Sequence, residues 1–122
     1  VGESKKMDNN RAWKEIKKHI DSIVPSLRRS KKYILAYEPV WAIGGGARVD
    51  GAYVQEMIYR IKLYMRAQTN SIPRVLYGGS VDGKFVESLL HYQSSIDGFL
   101  VGSASVRKKD IITIIKKIYG TT

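Results

Sequence analysis

The feature that most narrows the possible folds is an alternation. Three short apolar runs, at residues 33–36, 74–77 and 97–101, each lead into a glycine-bearing loop, and each loop leads into a stretch whose apolar residues recur at helical spacing. Runs of this length bounded by turn residues read as buried strands. The stretches between them read as amphipathic helices. Val54, Met57, Ile58, Ile61, Tyr64 and Met65 mark the first, Phe85, Val86, Leu89 and Leu90 the second, and Ile111, Ile114, Ile115 and Ile118 the third. Another helix precedes the first strand. It presents Trp13, Ile16, Ile20, Ile23, Val24 and Leu27 on one face, with a cap expected at Asn9 or Asn10 and a kink or early end at Pro25. Asp50 and Gly51 are expected to start the second helix, and Gly120 to stop the last. Strands separated by helices pair in parallel through right-handed crossovers. The expected fold class is therefore α/β, and 122 residues with 43% apolar content are expected to form one domain around a core.

Parallel strand–helix units open all their strand C-terminal ends on one face. Three loops then meet there. The first is Glu38 with the residues after it, the second Gly78-Gly79-Ser80, and the third Gly102-Ser103-Ala104-Ser105. The last two are short and small. They allow backbone N–H groups to approach a ligand closely, and the helix starts beyond them favour an anion. The first is different. Pro39 biases Glu38 toward extended backbone, so the carboxylate continues the strand. Pro39, Val40, Trp41, Ala42, Ile43, Gly44, Gly45 and Gly46 then form a mostly apolar loop ending in a flexible joint, which reads as a hinged lid. A strand-end glutamate can also be a plain solvated charge. Beside an apolar lid it reads as a general base, because closure strips water from the carboxylate and raises its pKa.

Charge and composition exclude other classes. The net charge is +10, from 21 Lys and Arg against 11 Asp and Glu. This suits an anionic partner: nucleic acid, a lipid surface or a small phosphorylated substrate. The basic residues are scattered over the helices rather than gathered in one arm, which favours an ordinary solvated surface and no nucleic-acid partner. There is no cysteine, which excludes disulfides and thiolate metal sites and fits a reducing, cytoplasmic compartment. No apolar run approaches the about 18 residues of a membrane span, and no signal-peptide core follows Val1. His19 and His91 lie on expected helices and read as surface or packing residues.

Three blocks carry a resemblance: Tyr37-Glu38-Pro39-Val40-Trp41-Ala42-Ile43-Gly44, Tyr77-Gly78-Gly79-Ser80-Val81, and Asp97-Gly98-Phe99-Leu100-Val101-Gly102-Ser103-Ala104-Ser105. In this order and spacing they resemble the triosephosphate isomerase family. The resemblance covers nearly the whole chain but only the C-terminal half of the family's (β/α)8 barrel, which takes about 250 residues when complete. Val1-Gly2-Glu3 resembles the end of the fifth strand, and strands six, seven and eight follow. The resemblance implies that Glu38 is the base shuttling a proton through an enediol(ate). It implies that Gly44, Ser80, Gly102 and Ser103 bind the phosphate. It implies that Glu3 holds the lid tryptophan, Trp41, in the open state. The resemblance also brings the family's own well-known mechanism of glutamate base, neutral histidine electrophile and closing loop. The family's lysine, asparagine and electrophilic histidine belong to the other half of the barrel. The implied partners are a small phosphorylated triose, the N-terminal half, and a second subunit in a parent homodimer, and the implied reaction needs no metal or organic cofactor. Two departures stand out: Gly44-Gly45-Gly46-Ala47 where the family's lid commonly ends Gly-Thr-Gly-Lys, and Gly102-Ser103 where the last loop often reads Gly-Gly. A non-catalytic half-barrel and a basic nucleic-acid-binding module are the competing expectations.

Overall fold

The computed structural model describes residues 1–30, 32–44, 47–90 and 95–120. In chain order the elements are α1 (Asn9–Leu27), β1 (Ile34–Tyr37), a 3-10 turn (Val40–Ala42), α2 (Gly51–Thr69), β2 (Arg74–Tyr77), α3 (Gly83–Leu89), β3 (Gly98–Phe99), a second 3-10 turn (Ser103–Val106) and α4 (Lys108–Tyr119). The strands pair in parallel in the order β1-β2-β3, with Leu35 opposite Val75, Tyr37 opposite Tyr77 and Tyr77 opposite Phe99. The alternation seen in the sequence is thus an α/β sheet of the expected kind.

A fourth extended segment lies along the other edge of β1. The Val1 nitrogen donates to the Ala36 carbonyl (2.8 Å), the Glu38 N–H to the Val1 carbonyl (2.7 Å), and the Val40 N–H to the Glu3 carbonyl (3.0 Å). This staggered pattern is a parallel ladder. Val1-Gly2-Glu3 therefore occupies the place of a strand end, as its resemblance implied.

The helices start where a short side chain can take orphaned N–H groups. For α1 that residue is Asp8, whose carboxylate accepts from the N–H groups of Asn10 and Arg11, both at 3.1 Å, and not Asn9 or Asn10. Pro25 does not end α1 early, because it falls in the last turn and the helix runs on to Leu27. Asp50 caps α2 through Ala52 N–H (3.2 Å) and Asp82 caps α3 through Phe85 N–H (2.7 Å). Left-handed residues close two helices: Asn70, at φ 55°, follows α2, and Gly120, at φ 63°, follows α4.

Two strands differ from expectation. β1 is displaced by one residue, because Tyr37 stays in the ladder and its carbonyl accepts from the Gly78 N–H (2.9 Å). β3 keeps only two of five expected residues. The Asp97 carboxylate takes the Val75 N–H (2.7 Å), a donor that a longer ladder would pair with backbone. Leu100 still reaches the Tyr77 carbonyl (2.8 Å) beyond the last paired residue.

The sheet has two unlike faces. Leu35, Tyr37, Val75 and Tyr77 are buried in one core with Ile16, Ile20, Met57, Ile58 and Ile61 from the helices. On the alternate face Ile34 is 59% exposed, and Ala36 and Leu76 are half-buried. The isoleucine stripe of α4 is covered less than its spacing suggested. Ile114 is buried, but Ile115 and Ile118 are 46% and 41% exposed. They border a groove of about 520 Å³ that also takes in Leu90 and Phe99. Leu90 itself lies past the end of α3 and is exposed. Among the described residues, no helix is long and apolar enough to cross a membrane.

Candidate active site

Glu38 follows β1 directly and is half-buried. Its backbone is gripped from the strand-like segment beside it. A Cβ placed on Gly2 would fall 1.9 Å from the Glu38 carbonyl oxygen, so only a glycine permits this approach. Its side chain lies over the second loop. A Cβ on Gly78 would stand 2.8 Å from Glu38 Cγ and 3.1 Å from Oε2. Pro39, at φ −60° and ψ 118°, keeps the chain extended past the carboxylate.

Glu38 and Gly78 border a cavity of about 670 Å³. Glu38, Ile43 and Gly44 form one part of its wall, Gly78, Gly79 and Ser80 a second, and Gly102 and Ser103 a third. All five residues singled out in the sequence for the carboxylate and the anion cradle are thereby brought to one place. Gly44 sits at φ 69°, in the left-handed region where a side chain is strained.

The lid is more ordered at its start than a loop reading suggests. Val40–Ala42 form a single 3-10 turn, closed by hydrogen bonds from Ala42 N–H to the Pro39 carbonyl (3.0 Å) and from Ile43 N–H to the Val40 carbonyl (3.3 Å). Pro39 and Ala42 are buried, whereas Val40 and Ile43 are exposed. The Ser80 hydroxyl donates to the Ala42 carbonyl (2.7 Å), tying the second loop to the lid. Gly45 and Gly46, the rest of the expected joint, lie outside the described residues.

Beneath the lid is Glu3, fully buried. Its carboxylate accepts from the Trp41 indole N–H (3.1 Å), from the Tyr37 hydroxyl (3.1 Å to each oxygen) and from the Tyr53 hydroxyl. A buried carboxylate needs such partners. Burial raises the pKa of both phenols well above the ordinary tyrosine range, and the adjoining Glu3 carboxylate raises them further. Tyr77 is raised in the same way, by burial first and the Glu3 charge second. The Glu3–Trp41 contact was implied by the resemblance, but Tyr37 and Tyr53 were missed. A signal for Tyr37 existed: it occupies a core-facing strand position, where a phenol seldom lacks a partner. Tyr53 gave none, since on α2 it lies off the apolar stripe.

His19 is exposed on α1 and does not line the cavity, and His91 lies outside the described residues. No group of three or more His, Cys, Asp or Glu among the described residues could hold a metal ion.

Comparison with known proteins agrees with the arrangement. A model of the triosephosphate isomerase family matches residues 1–118. A triosephosphate isomerase of Mycoplasma mobile is 43% identical over 117 residues, covering 95% of this chain and 46% of that protein. One from Yarrowia lipolytica is 34% identical over 122 residues, covering 94% and 47%. One from Taenia solium is 43% identical over 96 residues, covering 75% and 38%. The chain thus spans about half the length of the first two of these relatives. Its parallel strand–helix units, its three loops on one cavity and its match over residues 1–118 make it a member of the triosephosphate isomerase family.

Proposed function

We propose that this chain carries the C-terminal half of the active site of a triosephosphate isomerase, which interconverts dihydroxyacetone phosphate and D-glyceraldehyde 3-phosphate. The observation that supports this most is the placing of Glu38 against Gly78, in a cavity that Ser80, Gly102 and Ser103 also line. In this reading the phosphate rests against the backbone of the glycine-rich loops. That fixes the carbon chain so that the Glu38 carboxylate removes a proton from one carbon and returns it to the next, through an enediol(ate). Ile43 and Gly44 border the same cavity, so closure of the lid would exclude water around the carboxylate. Gly44, Ser80, Gly102 and Ser103 are the phosphate-binding residues, and the lid extends through Gly45 and Gly46.

The same reading makes residues 1–122 a single incomplete domain whose partner is the N-terminal half of the barrel. It makes the parent a homodimer and places it in the cytoplasm, for which the cysteine-free composition is the support. No histidine or lysine is among the described residues lining the cavity, so nothing there polarises a carbonyl as the family's mechanism requires. The 122-residue chain alone is therefore expected to show little or no turnover.

The test joins this chain to the N-terminal half of a relative and measures isomerisation in both directions. Glu38→Gln is expected to lower kcat by about 10²–10⁴-fold, the usual contribution of a positioned general base. Unchanged turnover in Glu38→Gln would overturn the reading and leave a half-barrel that serves only assembly.

A further inference from the structure

The charge around the cavity does not match an anionic ligand by itself. Three carboxylates border it, Glu38, Asp82 and Asp110, against one cationic side chain among the described lining residues, Arg107. Arg107 stands between the second 3-10 turn and α4. Its backbone is fixed there: its N–H donates to the Ala104 carbonyl (3.3 Å), and its own carbonyl accepts from Asp110 N–H (3.0 Å) and Ile111 N–H (3.1 Å). Its side chain is 59% exposed and engages the Asp110 carboxylate through Nε.

We propose that Arg107 is the cation that holds the ligand's phosphate in this chain, and that Asp110 is its resting partner, exchanged for the phosphate on binding. The inference rests on the reading of the cavity as a phosphate site. Two properties of the pair support the exchange. An ion pair as exposed as this one is weak, because water screens it and both side chains lose rotamer freedom in it, so releasing it costs little. A guanidinium has five N–H donors in a planar fork, and its bidentate bonds to a phosphate are roughly twice as strong as neutral hydrogen bonds. The Nε contact to Asp110 occupies one of those donors. Arg107 lines the same cavity as Gly102 and Ser103, whose loop supplies the neutral part of the cradle. Arg107 is in this reading a binding residue that sets affinity for the anionic end and takes no part in proton transfer.

The experiment measures binding of inorganic phosphate to the 122-residue chain by titration calorimetry at fixed ionic strength. The variants are Arg107→Ala, Arg107→Lys, Asp110→Asn and the double variant Arg107→Ala/Asp110→Asn. Circular dichroism melts matched to the unmodified chain verify that each is folded. Arg107→Ala is expected to weaken binding about tenfold or more, the loss of charge-assisted hydrogen bonds. Arg107→Lys recovers only part of it, because an ammonium lacks the fork. Asp110→Asn is expected to tighten binding by up to about fivefold, since it frees Arg107 beforehand. The double variant should bind like Arg107→Ala. Saturable binding that Arg107→Ala leaves unchanged overturns this inference and spares the phosphate site. Equal tightening by Asp110→Asn with and without Arg107 overturns the exchange, because Asp110 then acts only as a repelling charge. No saturable phosphate binding by the unmodified chain overturns both the inference and the site on which it rests.

Discussion

At the scale of single residues, the buried carboxylate of Glu3 sets the terms. Taken from water alone it would be heavily penalised, and the hydroxyls of Tyr37 and Tyr53 with the Trp41 indole offset that. Removing one donor leaves a lone pair unsatisfied. Tyr37→Phe is therefore expected to destabilise the fold by about 1–3 kcal/mol, read from denaturant unfolding. The phenols also fix a pH dependence. Their native pKa values lie above the unfolded value near 10.0, so folding favours the neutral form. That contribution is complete below about pH 10 and is lost as the pH rises above it, where the unfolded chain releases protons that the native chain keeps. Unfolding free energy should be level up to that point and fall beyond it. The fall should be shallower in Tyr37→Phe, and an identical slope in that variant would remove the tyrosines as its cause. Of this cluster only the Glu3–Trp41 pair was legible in the sequence. The two tyrosines come from a strand and a helix, and no local pattern records that they meet.

At the scale of elements, the helices were the most legible part. Their apolar stripes repeat over many turns, and the stripes of α1 and α2 are the buried ones. Termini were less so, since Asp8 competes with Asn9 and Asn10 for the same capping role and geometry alone decides between them. Strand β3 shrank because a side chain, Asp97, does the work of a ladder carbonyl, which hydrophobic pattern cannot reveal. The lid's 3-10 turn was hidden for a related reason: it is made by backbone bonds alone. The loop–strand contacts that shape the site depend on missing side chains. Gly2→Ala would press a methyl group into the Glu38 carbonyl and force the two segments apart. It is expected to cost about 1–3 kcal/mol of stability, as overpacking does, and to lower turnover in the joined barrel without touching the carboxylate. Wild-type stability and turnover in Gly2→Ala would show that the approach is not a constraint.

At the scale of the whole molecule, coverage is uneven. One sheet face is packed by helices, while Ile34 on the other face and Ile115 and Ile118 on α4 remain open to solvent. A half-barrel with unpaired strand edges invites association. Light scattering on the isolated chain is expected to give a mass above the 13.8 kDa of one copy, and Ile115→Lys with Ile118→Lys should move it toward that value. A monodisperse monomer of the unmodified chain would contradict this. The sequence revealed the half-barrel only through its three motif blocks. Spacing alone indicates parallel α/β order but not where a sheet closes. One consequence concerns choosiness. The glycine-rich loops of the cavity suit the single charged head of a ligand, whereas Glu38, Asp82 and Asp110 on the same walls disfavour a second negative charge. A receptor built this way favours a ligand that carries its negative charge at one end only and turns away one that is charged at both.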